Sequence, residues 1–120
     1  MDEQDWAPLT CTFAGIWEIQ PGWVEENADQ VQLVDVREHE EFIGPLGHIG
    51  AARLIPLGEL SERLRELDKT RPVVAVCRSG ARSAQATNIL KQAGFSKVAN
   101  LNGGMLRWRA EGHAVEDGRA

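Results

Sequence analysis

The stretch Val73-Val74-Ala75-Val76-Cys77-Arg78-Ser79-Gly80-Ala81-Arg82-Ser83 decides how the rest of the chain is read. Its first four residues are apolar without polar alternation, the habit of a central strand covered on both faces. The run stops at a cysteine, Gly80 permits a tight turn, and from Arg82 the pattern becomes helical until Gly94 ends it. A buried strand, a short loop and a helix start thus follow one another directly. In open parallel sheets such loops form the carboxyl edge, where ligands bind.

Working outward, Val31, Leu33, Val34 and Val36 make a second buried run ending at Arg37. Val98, Ala99 and Leu101 make a third before Asn102-Gly103-Gly104. Arg53, Leu54 and Ile55 form a short strand that Pro56 ends, and a brief one spans Trp17 to Ile19. Helical patterns over residues 22–28, 38–42, 58–67, 82–93 and 105–111 alternate with these strands. In the third of them Leu60, Leu64 and Leu67 recur at helical spacing, with Glu62, Arg63, Arg65 and Glu66 opposite, predicting one amphipathic helix. The alternation predicts an α/β domain with a central, mostly parallel, five-stranded sheet flanked by helices on both faces.

The chain has 120 residues, enough for one modest core. Hydrophobic residues at 42% and charged residues at 26% fit a folded globular chain rather than a disordered one. A formal net charge of -5 argues against a surface that tracks nucleic-acid phosphates. No apolar run is long enough to cross a bilayer, and Met1, Asp2, Glu3, Gln4 and Asp5 are acidic where a secretory signal is basic, so the expected compartment is the cytoplasm. The two cysteines, Cys11 and Cys77, stand in contexts too different for a stapling disulfide, and a zinc site would lack ligands. No cofactor and no metal are expected.

The chemistry is expected at Cys77. Backbone N–H groups turned inward by the loop, the positive end of the following helix and the guanidinium groups of Arg78 and Arg82 all favour a thiolate over a thiol. The same donors suit a terminal persulfide sulfur, which carries negative charge.

Five pieces of sequence, in this order, resemble the rhodanese-like domains: Leu33-Val34-Asp35-Val36-Arg37 with Glu38 and Glu41-Phe42; Gly47-His48-Ile49-Gly50-Ala51; Ile55-Pro56; Val76 through Ser83; and Gly103-Gly104 with Trp108. The resemblance covers residues 15–116, leaving an N-terminal extension (1–14) and a C-terminal tail (117–120). It implies a single α/β domain in which Cys77 is the nucleophile, Arg78, Ser79, Gly80, Ala81 and Arg82 form the substrate-binding loop around the outer sulfur, and Asp35, Arg37 and Ser83 support it. It further implies a thiosulfate sulfurtransferase that passes sulfane sulfur from thiosulfate or a related donor through a Cys77 persulfide to cyanide or to a small thiol or protein cysteine. No nucleic acid or membrane partner is expected, and the chain is expected to be a monomer or weak dimer. Related phosphatases and arsenate reductases have a longer loop beginning His-Cys. Here Val76 precedes Cys77 and only four residues separate Cys77 from Arg82, a ring better sized for sulfur than for a phosphoryl group. The competing class is a non-enzymatic sulfur carrier or docking module; such modules commonly lack the cysteine or the loop pattern, and both are present.

The other conspicuous residues have structural readings. Asp35 and Arg37 lie two apart at a strand end and are expected to brace neighbouring loops. Arg82 is read both as a substrate ligand and as a brace of its own loop. His48 belongs to a turn, and His39 and His113 show no pattern with Cys77. Cys11 sits in the extension, as do Trp6, Leu9 and Phe13, which are expected to pack on the domain or on a partner. Trp17, Trp23 and Trp108 are read as cover for the core. Gly44-Pro45-Leu46 makes a stiff loop expected to shape acceptor choice.

Overall fold

The computed structural model describes residues 5–117. The first four positions of the 1–14 extension and the last three of the 117–120 tail lie outside the described residues. In chain order the strands are β1 (Thr10–Cys11), β2 (Trp17–Ile19), β3 (Gln32–Asp35), β4 (Arg53–Leu54), β5 (Val73–Val76) and β6 (Val98–Leu101). The helices are α1 (Pro21–Asn27), α2 (His39–Phe42), α3 (Ala81–Gln92) and α4 (Gly104–Ala110). The strands form one sheet in the order β1-β2-β6-β5-β3-β4, parallel except for β1, which pairs antiparallel with β2.

The sheet has six strands rather than the expected five. The sixth comes from the extension, where Thr10 pairs with Glu18 and Cys11 with Trp17. Both β1 residues are exposed and carry no apolar pattern, which is why periodicity did not reveal the strand. Trp6 and Leu9 of the same extension pack against the core, Trp6 meeting Trp23 edge-on at 6.1 Å, whereas Phe13 projects fully into solvent.

Residues 58–67 also depart from expectation. Two short 3₁₀ segments, Leu57–Glu62 and Leu64–Glu66, replace the amphipathic helix. Leu57 with Leu60, and Leu64 with Leu67, are three apart, a spacing that stacks side chains on a 3₁₀ turn. Arg63, at φ −117° and ψ 18°, breaks the run between the two pairs and is held by Glu59 and Glu66 at 3.0 and 2.7 Å. Leu60 and Leu67 are buried all the same.

Alternation along the strands divides the core in two. Val73, Ala75 and Cys77 point to the face covered by α3 and the 3₁₀ segments, with Val34, Val36, Leu60, Ala86, Leu90 and Val98. Val74 and Val76 point to the face covered by α1 and α4, with Leu33, Val24, Leu101, Met105 and Trp108. The chain leaves the carboxyl end of β3 toward β4 at one edge and leaves that of β5 toward β6 on the other side. That divergence opens a crevice between the ends of β3 and β5, the place where doubly wound sheets bind ligands.

Candidate active site

Cys77 follows β5 immediately and is 1% exposed. Its Sγ accepts hydrogen bonds from the backbone N–H of Gly80 (3.0 Å) and Ser83 (3.3 Å), and the Ser83 hydroxyl lies 3.2 Å away. The loop is built to aim those donors. Gly80 caps α3 at φ 113°, a conformation open to glycine and costly for other residues. Behind the loop, the carbonyls of Cys77 and Arg78 accept bonds from Met105 N–H (2.9 Å) and Leu106 N–H (3.0 Å) in the first turn of α4. Because the two sides of a trans peptide point oppositely, anchoring these carbonyls outward turns the N–H groups of Arg78 and Ser79 inward. The first turn of α3 leaves further N–H groups without intrahelical acceptors, and its dipole favours negative charge there. Burial pushes the Cys77 thiol up, but the Ser83 hydroxyl and the N–H groups of Ser83, Gly80 and Ser79 outweigh it and hold the thiol below the ordinary cysteine value.

The two loop arginines part company. Arg82 forms a bidentate pair with Glu41, Nη1 to Oε1 at 2.6 Å and Nη2 to Oε2 at 2.8 Å, and so ties α3 to α2. Arg78 is exposed and forms no salt bridge among the described residues. It lines a cleft of about 280 Å³ with Arg37, Glu41, Pro45 and Leu46. This is the crevice between β3 and β5, and the 44–46 loop forms its apolar wall. Since Arg37 and Arg82 are matched by Asp35 and Glu41, the uncompensated positive charge at the cleft comes from Arg78.

Asp35 and Arg37, placed by sequence as braces, form a buried ion pair. Arg37 Nε and Nη2 donate to Asp35 Oδ1 (2.9 Å) and Oδ2 (2.8 Å), while the guanidinium also holds the carbonyls of Glu41 (3.2 Å) and Gly47 (2.8 Å). His48, expected in a turn, instead forms an isolated antiparallel bridge with Glu116, with Nδ1 2.9 Å from Phe42 O and its ring stacked on Phe42 at 3.8 Å. His113 sits between Glu25 and Glu111, whose hydrogen bonds raise its pKa, Glu25 foremost. Trp108 is buried, its Nε1 donating to Ala114 O. Cys11 and Cys77 are both free thiols, Cys11 exposed.

Sequence reasoning passed over Asn100 and Glu18. Asn100, on β6, is 1% exposed and accepts a hydrogen bond from the Ser83 hydroxyl at Oδ1. Its Nδ2 donates to Glu18 Oε2 (3.2 Å) and to Gly80 O (3.1 Å). Asn102 Nδ2 holds the other Glu18 oxygen at 2.7 Å. The signal was a polar residue at an inward position of a doubly buried strand, which must find partners.

The Glu41–Arg82 pair makes acid stability a readout of the loop brace. The Arg82 hydrogen bond, helped by the Glu38 N–H and the nearby guanidinium charges, holds the Glu41 carboxyl down at about 2 against the usual 4.5. A carboxyl depressed on folding adds stability that is full above its unfolded pKa and is lost as pH falls through the folded one. Glu41→Gln is therefore expected to be less stable than the parent at neutral pH, with the difference shrinking from about pH 4.5 toward pH 2. Urea melts across that range check it; a difference independent of pH would exclude the ion pair as its source.

The sequence model of the family described as "Rhodanese-like domain" matches residues 20–111. A putative sulfurtransferase of Bacillus subtilis (strain 168) is 40% identical over 86 residues, covering 72% of this chain and 81% of its own. A putative sulfur carrier protein of the same organism is 37% identical over 83 residues, 69% of this chain and 44% of its own. Other curated relatives are longer than the matched region, the chain spanning 61% of one from Bacillus subtilis and 40% of one from Mycobacterium tuberculosis. Among solved structures, a rhodanese-related protein from Thermoplasma volcanium superposes with a TM-score of 0.77 at 32% identity, over 83% of this chain and 97% of that one. Among the described residues no helix is long and apolar enough to cross a membrane.

Proposed function

The chain belongs to the rhodanese-like domain family, and on that premise we propose that it is a sulfurtransferase that carries sulfane sulfur on Cys77. The carrying observation is the Cys77 Sγ, ringed by the N–H groups of Gly80 and Ser83 and the Ser83 hydroxyl at the start of α3. In the first half-reaction the thiolate attacks the outer sulfur of thiosulfate. An S–S bond forms to Cys77, the S–S bond of thiosulfate breaks, and sulfite leaves with the electron pair. The outer sulfur of the resulting persulfide keeps one negative charge, which suits the inward N–H groups. In the second half-reaction a nucleophile, cyanide or a thiolate, takes that sulfur and returns the Cys77 thiolate. The Cys77 sulfur is buried, so a small thiol or a protein cysteine on a protruding segment fits better than a bulky acceptor.

The second reading is a dedicated sulfur carrier. One observation favours it: Arg78 alone offers uncompensated positive charge, modest help for a dianion such as thiosulfate. The measurement that decides is intact mass. Protein incubated with thiosulfate is expected to gain one sulfur atom, and Cys77→Ser to lose that gain along with thiocyanate formation from cyanide. Arg78→Ala is expected to weaken thiosulfate use roughly tenfold while leaving the melting temperature within about 1 °C, since an exposed loop arginine adds little to the core. Loading from thiosulfate that ignores Arg78 would favour the carrier, and no loading from any sulfane donor would defeat both readings.

A further inference from the structure

The Ser83 hydroxyl faces two acceptors with one proton. Cys77 Sγ lies 3.2 Å from it, and Asn100 Oδ1 lies on its other side. The Asn100 amide has no freedom to turn its donor toward Ser83. Its Nδ2 is held by Gly80 O and Glu18 Oε2, both acceptors, so the atom facing Ser83 is a carbonyl oxygen. An oxygen without a proton can bond the hydroxyl only by receiving the hydroxyl's proton. We infer that Asn100 is a positioning residue that competes with the Cys77 thiolate for the Ser83 proton and so sets how readily Cys77 ionises.

Three states of the sulfur make different demands. In the thiol, Cys77 donates to Ser83 Oγ and Ser83 donates to Asn100, a complete chain. In the thiolate, either the hydroxyl turns to Sγ and strands a buried amide oxygen, or it stays on Asn100 and the thiolate keeps only its N–H donors. Both cost free energy. In the persulfide, which rests on the function proposed above, the inner sulfur is uncharged and the charge sits on the outer sulfur, so the hydroxyl returns to Asn100. Asn100 therefore disfavours the bare thiolate relative to the states on either side of it and biases the protein toward holding its cargo. The charged groups around this cluster are Glu18 on β2, Arg82 on α3 with Glu41 across it, and Arg78 in the loop; Arg82 also acts on Cys77 through space. None of them lies between Ser83 and Asn100.

The test is the pH dependence of Cys77 alkylation by iodoacetamide, made in a Cys11→Ser background so that one thiol reacts. Asn100→Ala is expected to lower the apparent pKa and raise the rate on the acid side roughly twofold to tenfold, the worth of one hydrogen bond. Ser83→Ala is expected to raise it, and in the Ser83→Ala background Asn100→Ala is expected to change nothing. If Asn100 merely holds Gly80, its loss disorders an N–H donor and the pKa rises; that result, or additive effects in the double variant, overturns the inference. A measurement on the unmutated side chains guards against a variant that fails to fold. The Asn100 side-chain amide resonance is expected to move with the Cys77 titration, and no movement overturns the inference. None of these readouts needs sulfur transfer, so their failure is separate from failure of the sulfurtransferase reading, which the mass of loaded protein decides.

Discussion

Replacing Asp35 by alanine is expected to destabilise the protein by about 3–5 kcal/mol, because it strands a buried guanidinium. Arg37 is 1% exposed and Asp35 0%, so water screens neither charge. Asp35 accepts from Arg37 Nε, Nη2 and backbone N–H, the last at 3.1 Å. With the carboxylate gone, the guanidinium keeps only the Glu41 and Gly47 carbonyls, neither of which offsets its charge. An exposed pair of the same geometry would be worth about 0–1 kcal/mol. The paired substitution Asp35→Leu with Arg37→Met is expected to cost far less than Asp35→Ala, since a buried pair barely exceeds well-packed apolar replacements. Urea titration measures both variants, and a loss for Asp35→Ala below about 1 kcal/mol would show the pair to be no stronger than a surface contact. The effect reaches the candidate active site. Arg37 holds the backbone of Glu41, whose side chain holds Arg82, so Asp35→Ala is expected to loosen the loop brace as well.

The parts of this molecule that were legible in its sequence are those where neighbours in space are neighbours in the chain. The cradle around Cys77 is one loop, and its strand, glycine and helix signals lie side by side, so the fold class and the position of the cradled thiol could be read together. The Asp35–Arg37 pair was legible for the same reason. Arg82 was ambiguous until its partner was known, and Glu41 lies 41 residues away. Glu18 and Asn100 are 82 apart and meet only because β2 pairs with β6. In the segment after β4, the leucine pattern satisfied helical and 3₁₀ spacing alike, and Arg63, gripped by glutamates on both sides, decided between them. What stayed hidden was set by strand order and by side-chain pairing across the sheet, which no local pattern encodes.

Gly104 is the position where fold and chemistry depend on a missing side chain, and Gly104→Ala is expected to damage both. A β-carbon there would lie 2.5 Å from Cys77 O and 2.5 Å from Arg78 O, backbone atoms that cannot swing aside, and the residue adopts φ +57°. Alanine at a positive φ alone costs more than about 1 kcal/mol; with the clash, the expected loss is about 3 kcal/mol or more. The alternative to that loss is displacement of the Cys77–Arg78 backbone. These carbonyls are the ones that α4 anchors, and their anchoring turns the N–H groups toward sulfur, so displacement misaims the cradle. Gly103→Ala supplies the contrast. It shares the positive φ, at +76°, but its β-carbon meets Arg107, with Cβ at 2.5 Å, rather than the carbonyls of the Cys77 loop. Both variants are expected to lose stability in thermal melts, but the larger rise in the Cys77 pKa is expected for Gly104→Ala. Equal pKa changes in the two would mean that α4 supports the loop only through general stability, and that the carbonyl anchors do not aim the donors.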